Sequence, residues 1–134
     1  MRDHFHVQLS DDAIREISSI GLAHLGDAVY ELLVRAWLCE QGKATGKGLH
    51  RATVEMVKAP AQAKFADRLM PLLTEEEQGY YRRGKNAHSH AAPKSATPQE
   101  YAKATGLEAL FGALYLLGRV ERLNELFLAG IQQG

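Results

Sequence analysis

Apolar residues recur three and four positions apart along most of the chain, and no stretch alternates cleanly between apolar and polar positions. This periodicity is typical of amphipathic helices packed around a core. It predicts an all-α fold of about seven helices in a single domain spanning residues 1–134. The predicted helices begin near Ser10, Leu22, Leu49, Pro60, Thr74, Thr97 and Val120.

Local signals predict several of the helix ends. Thr74 with Glu77, and Thr97 with Glu100, have the spacing of a capping box. Gly42 is expected to end the second helix, whose apolar stripe is predicted to face the core. That stripe consists of Leu22, Leu25, Val29, Leu32, Leu33 and Ala36.

The helical pattern fails from Gly84 to Ala96, where the residues are small, polar and basic. We expect one long exposed loop here, and the preceding helix is expected to end near Arg83. Loops of this length in compact domains usually serve a purpose such as gripping a ligand.

Composition excludes several classes of protein. The 134 residues are 46% hydrophobic and 24% charged, as in ordinary folded domains, which excludes disorder and fibrous proteins. The single cysteine, Cys39, cannot form an internal disulfide and is expected to be a packing residue. No stretch reaches the roughly 18 apolar residues of a membrane span, and the first residues do not resemble a secretion signal. We therefore expect a cytoplasmic protein.

Charge is balanced overall but unevenly distributed. The 16 basic and 16 acidic residues cancel, so net charge argues neither for nor against a nucleic-acid partner. No acid lies between Glu77 and Glu100, or between Glu40 and Glu55, whereas lysine and arginine occur in both segments. These segments form either a surface that follows phosphates or a pair of solvated loops.

Two acids stand alone in largely apolar surroundings. Glu108 is the only charged residue in 104–118, a helix that is apolar around most of its circumference, so we expect it to be partly buried. Asp27 is the only acid in 17–30 and follows Gly26, whose missing side chain permits a close helix contact.

Each acid has an ordinary explanation as well as a functional one. Glu108 either forms a salt bridge at the core edge or receives a metal ion, because an unpaired buried carboxylate is costly. Asp27 is either a solvated acid or the neighbour of Glu108 at a helix crossing, where Gly26 and Gly112 would permit close approach. Hard cations such as Mg²⁺ bind through one or two carboxylates and retain waters, which suits phosphodiester chemistry.

The motifs around these acids resemble those of a known family. GLAHLGDAVYELLVR at 21–35 resembles the first acidic motif of the ribonuclease III catalytic domain, and GLEALFGALYL at 106–116 resembles the second. Further segments, among them LHRATVEMV at 49–57 and RRGKNAHSHAAPKSATP at 82–98, are similar to the shortened branch known as Mini-ribonuclease III. The resemblance covers nearly the whole chain.

This resemblance implies an all-helical, Mg²⁺-dependent endonuclease that acts on double-stranded RNA as a homodimer. It implies that Asp27 and Glu108 are the catalytic and metal-binding residues, and it assigns no role to Glu31, His88 or His90. The substrate it implies is a precursor of large-subunit (23S) ribosomal RNA, alone or carrying a large-subunit ribosomal protein. The RNA-binding candidates in the basic segment are Arg82, Arg83, Lys85, Asn86 and Lys94.

The chain departs from full-length members of the family. Those have an acid seven residues before the motif Asp and another three residues before the motif Glu, where this chain has Ile20 and Thr105. We expect no double-stranded RNA-binding domain after the second motif, and we expect the dimer surface and its loops to provide affinity. The missing acids favour a rival interpretation, a non-enzymatic helical RNA-binding or ribosome-assembly module, whereas the presence of both Asp27 and Glu108 favours an enzyme.

Overall fold

The computed structural model describes residues 2–42, 45–87 and 95–131. Within these ranges the chain is all-helical, as its apolar periodicity predicts. The α-helices are α1 (Asp11–Arg15), α2 (Ser19–Glu40), α3 (Gly46–Val57), α4 (Ala59–Leu69), α5 (Glu75–Lys85), α6 (Pro98–Leu116) and α7 (Val120–Ile131), and a 3-10 helix covers Met70–Leu72. None of these helices combines the length and apolar composition that a membrane crossing requires.

The helix starts follow the predicted caps. The Thr74 side chain accepts from the Glu77 N–H at 3.1 Å, and the Glu77 carboxylate accepts from the Thr74 N–H at 2.9 Å. Thr97 and Glu100 form the same reciprocal pair. Both predicted capping boxes are therefore confirmed, and each satisfies two backbone donors that a helix start leaves free.

Helix α6 forms the centre of the molecule and packs against α2, α4, α5 and α7. Its side chains Leu107, Leu110, Phe111 and Leu114 are fully buried. Phe111 also belongs to an aromatic cluster, in which the Tyr30 and Phe65 rings meet edge to face with centroids 5.1 Å apart. Each of these large side chains contributes about 1.5–3 kcal/mol through burial, so the core holds α6 firmly in place.

The predicted core stripe of α2 is partly wrong. Leu32 is 52% exposed and Ala36 is also exposed, whereas Gly26, Tyr30 and Val34 are buried. The buried face of α2 differs from the predicted stripe because α6 approaches α2 most closely at Gly26, where small residues leave room for it. An apolar face that includes Leu32 is left on the outside of the helix.

The predicted loop begins too early. Gly84 and Lys85 belong to the last turn of α5, and Gly84 is buried against α6. A Cβ at this position would lie 2.5 Å from the Thr105 carbonyl oxygen, so the glycine serves close packing rather than a turn. Cys39 is exposed and is not the packing residue that we expected.

Candidate active site

Helices α2 and α6 cross with their backbones in contact. A Cβ built on Gly26 would lie 1.5 Å from the carbonyl oxygen of Glu108, and one built on Gly112 would lie 2.1 Å from that of Leu22. No side chain fits at either position, so the two glycines allow a main-chain contact. This contact places Asp27, which follows Gly26, beside Glu108, and the predicted meeting of the two acids at a helix crossing is confirmed.

The two carboxyl groups differ in environment. Asp27 is exposed, whereas Glu108 is partly buried. Burial, and after it the negative charge of Asp27, raise the pKa of Glu108 from its ordinary value of 4.5 to about 8, although a hydrogen bond from Gln62 acts in the opposite direction. Glu108 therefore binds a proton more readily than an ordinary glutamate.

A salt bridge for Glu108, the ordinary alternative, is not observed. The ion pairs within the described ranges include neither Glu108 nor Asp27. Two adjacent carboxylates with this uncompensated charge fit a hard divalent cation, which takes oxygen ligands and completes its shell with water.

The donor set is small. Within 2–42, 45–87 and 95–131, no group of three or more His, Cys, Asp or Glu side chains is placed to hold a metal ion. Of the two positions at which full-length family members have further acids, Ile20 is 41% exposed, and the Thr105 hydroxyl donates to the Tyr101 carbonyl oxygen at 3.0 Å. The site therefore provides two carboxylates, one from each crossing helix.

Gln62, a buried residue of α4, is not among the site residues predicted from the sequence. Its amide nitrogen donates to the carbonyl oxygen of Val57 at 2.7 Å and contacts Glu108 Oε2 at 3.4 Å. Gln62 lies on the same helix face as the buried residues Phe65 and Leu69. A polar residue at such a position in an apolar stripe is the signal that would have revealed it.

The RNA-binding candidates occupy different environments. Arg82, Lys85 and Asn86 are exposed at the end of α5. Arg83 instead points inward and donates to the Ser19 hydroxyl at 3.2 Å and to the Ile17 carbonyl oxygen, so it links α5 to the start of α2. Lys94, like His88 and His90, lies outside the described residues.

The basic end of α5 lies near the paired acids along α6. Gly84, between Arg82 and Lys85, packs against Thr105 and Gly106. Thr105 precedes Glu108 by about one helical turn, or ~5 Å along the helix axis. Helix α6 thus carries Glu108 and also contacts the end of α5 that carries the exposed positive charge.

Comparison with known proteins identifies the class to which this fold and these paired acids belong. The family described as the Ribonuclease III domain matches residues 21–119, which is most of the chain. The chain therefore belongs to the ribonuclease III domain family.

Individual relatives narrow this assignment to one branch. Mini-ribonuclease 3 of Symbiobacterium thermophilum is 55% identical over 108 residues, which cover 81% of this chain and 83% of that protein. Mini-ribonuclease 3 of a Thermoanaerobacter species is 42% identical and covers 92% of this chain and 87% of its own. A crystal structure of a Fusobacterium nucleatum protein superposes with a TM-score of 0.82 at 34% identity and covers 92% of this chain and 100% of its own. The similarity is to the Mini-ribonuclease 3 branch.

Proposed function

We propose that this ribonuclease III-type endoribonuclease hydrolyses phosphodiester bonds in double-stranded RNA, and that residues 1–134 form one catalytic domain. Asp27 and Glu108 are the proposed catalytic and metal-binding residues. The observation that carries the proposal is the pair of adjacent carboxylates at the crossing of α2 and α6, which no ion pair in the described ranges neutralises. The rival, a non-enzymatic binding module, would gain nothing from two acids placed together next to RNA phosphates.

Magnesium is the proposed cofactor. When bound, Mg²⁺ supplies an activated water and electrostatic stabilisation of charge on the scissile phosphate. Asp27 and Glu108 supply the negative charge that holds the ion, and their separation is fixed by the main-chain contact at Gly26. Water adds to phosphorus as the bond to the 3′ oxygen breaks, which leaves a 5′ phosphate and a 3′ hydroxyl.

Duplex RNA is proposed to be recognised mainly by shape. An A-form duplex presents a wide, shallow minor groove with 2′ hydroxyls and flanking phosphates. Arg82, Lys85 and Asn86 are exposed together and are the proposed phosphate contacts, joined by Lys94 from outside the described residues. Following the resemblance to Mini-ribonuclease 3, we propose a precursor of large-subunit (23S) ribosomal RNA as the substrate, with a large-subunit ribosomal protein as a further partner.

A cleavage assay tests the proposed function directly. A perfectly paired RNA and its two separate strands are each incubated with the protein in Mg²⁺ or in chelator. We expect endonucleolytic products from the duplex in Mg²⁺ alone. Binding of the duplex without cleavage in Mg²⁺ would support the non-enzymatic rival, and equal cleavage of the single strands would overturn the duplex specificity.

Replacing both Arg82 and Lys85 with alanine is expected to weaken duplex binding most strongly at low salt. Each lost phosphate contact should reduce the slope of log affinity against log salt by roughly 0.7 to 0.9. Thermal stability should not change, because both side chains are exposed. Filter binding across a salt series measures the slope.

Arg83→Ala is the matched control for this pair. The Arg83 guanidinium donates hydrogen bonds within the protein. The variant should therefore have a lower melting temperature, while the slope of log affinity against log salt should stay the same. If the double variant binds with unchanged slope, the RNA surface lies elsewhere. The next candidates are the basic residues of the acid-free segment between Glu40 and Glu55, namely Lys47, Arg51 and Lys43, the last of which lies outside the described residues.

We also propose that the enzyme is a homodimer formed through the outer face of α2. Leu25, Ala28 and Leu32 line an apolar groove together with Phe5, which is 63% exposed, and Val120, which is 43% exposed. Exposed apolar surface of this kind marks an interaction site. A second copy is the proposed occupant, because a two-fold axis brings the same helix face onto itself and places one site on each RNA strand.

Leu32→Glu is expected to convert the dimer to a monomer and to abolish double-strand cutting. Light scattering should then report the 14.8 kDa chain mass rather than twice that value. Leu72→Glu is the control, since Leu72 is 51% exposed but does not line the groove. A wild-type protein that is monomeric at concentrations where it is active would contradict the proposal.

A further inference from the structure

Gln62 is a buried amide that contacts the candidate metal ligand from within the protein. Its side chain is 3% exposed. Among the described residues, the Glu108 carboxyl group has two hydrogen-bonding neighbours, Asp27 and Gln62. Gln62 is the neutral one of the two and extends from α4, a third helix.

The Gln62 amide has one orientation that fits its surroundings. Its Nε2 faces the Val57 carbonyl oxygen and the Glu108 carboxylate, which are both acceptors. A flipped amide would turn its own oxygen toward these acceptors and would lose both hydrogen bonds. The donor side of the amide is therefore committed to Val57 and Glu108.

The opposite side of the amide is left unsatisfied. Gln62 Oε1 is buried and has no hydrogen-bond partner in the described part of the chain. A buried acceptor without a partner is destabilising, and an apolar side chain of similar shape would avoid that cost. The fold tolerates this cost at a position where the amide nitrogen contacts Glu108, which indicates a function for that contact.

We infer that Gln62 is a positioning residue that holds the Glu108 carboxylate in the orientation required for metal binding. The bond to Val57 ties the amide to the backbone at the end of α3, so Glu108 is oriented by a fixed group. Residues that hydrogen-bond to a metal ligand without contacting the metal typically contribute 10- to 100-fold to metal affinity. The inference rests on the proposed magnesium site and adds a residue that acts through Glu108.

Gln62→Met tests the inference because methionine has a similar length and no donor. The Mg²⁺ concentration at the midpoint of binding to the folded protein is measured without RNA by isothermal titration calorimetry. We expect it to increase on the order of tenfold relative to wild type. Cleavage at saturating Mg²⁺ should recover most of the wild-type rate.

Gln78→Met is the matched control. The Gln78 amide donates to the Leu73 carbonyl oxygen at 3.3 Å, five residues back in the chain, just as Gln62 donates to Val57. The Gln78→Met variant loses the same type of hydrogen bond, but Gln78 contacts neither Asp27 nor Glu108. Its Mg²⁺ dependence should therefore match that of the wild type. If Gln62→Met is destabilised but keeps the wild-type Mg²⁺ midpoint, Gln62 is only structural and the inference is overturned. A wild-type protein that does not bind Mg²⁺ would instead overturn the metal site itself, and the inference with it.

If Gln62→Met does not fold, a measurement on the wild-type protein tests the inference instead. In ¹⁵N-labelled protein, the side-chain amide resonances of Gln62 should shift on addition of Mg²⁺, while those of Gln78 should not. An unchanged Gln62 amide, together with shifted backbone resonances around Asp27, would overturn the inference.

Discussion

Asp27→Asn is expected to reduce the rate of duplex cleavage by at least about 1,000-fold, equivalent to ~4 kcal/mol of transition-state stabilisation. The substitution removes one of the two adjacent negative charges without changing side-chain volume. Asp27 is exposed, so folding and RNA binding should persist. Single-turnover cleavage with saturating enzyme separates the loss of chemistry from any loss of binding.

Asp67→Asn is a suitable control for Asp27→Asn. Asp67 is also exposed, but it pairs with Lys103 at 2.8 Å. This variant should cleave at the normal rate, because a surface ion pair of this kind contributes little to stability. A normal rate for Asp27→Asn as well would show that the role assigned to Asp27 is wrong.

Glu108→Gln is expected to stabilise the protein in chelator at alkaline pH and to have little effect near pH 4. In the unfolded chain the carboxyl group has its ordinary pKa, whereas burial and Asp27 raise the pKa in the folded state to about 8. The contribution of Glu108 to wild-type stability is therefore fully present below pH 4.5 and is lost as the pH rises through the folded-state pKa of about 8. Glutamine does not ionise, so the variant should exceed wild type by on the order of 3 kcal/mol, or roughly 10 °C in melting temperature, at pH 9.

Thermal melts between pH 4 and pH 9 measure this difference. Glu31→Gln is the control, because Glu31 lies on the same helix as Asp27 and pairs with Arg35. This variant should show no comparable gain over wild type at pH 9. Asp27→Asn should give a gain of the same sign, since it removes the charge that repels Glu108. Parallel pH profiles for wild type and Glu108→Gln would contradict the electrostatic description of the site.

Much of the fold could be predicted from local signals. The capping boxes at Thr74 and Thr97 begin α5 and α6, and the segment 104–118, apolar around most of its circumference with Glu108 as its only charge, predicts a central helix. The meeting of Asp27 with Glu108 was predictable because each acid is isolated and has a glycine close to it. Each of these features depends on residues close together in the sequence, so local sequence patterns predict it.

Contacts between distant elements were harder to predict. Periodicity identified an apolar stripe on α2 but not which part faces α6, because glycine and alanine at the closest contact carry little hydrophobic signal. Gln62 lies 46 residues from Glu108 in the chain, and its hydrogen bond depends on how α4 packs against α6. The inward orientation of Arg83 likewise depends on the start of α2.

The spacing of the paired acids is set by main-chain atoms at Gly26 and Gly112 rather than by the shape of core side chains. If the proposed RNA contacts at the end of α5 set substrate preference, that preference can change while the distance between Asp27 and Glu108 is preserved. For engineering, the enzyme can be divided into two parts: a centre held by the main-chain contact at Gly26 and Gly112, and an outer surface whose residues can be randomised. A library that diversifies Arg51, Arg82 and Lys85 but holds both glycines fixed would explore new duplex substrates without rebuilding the catalytic centre.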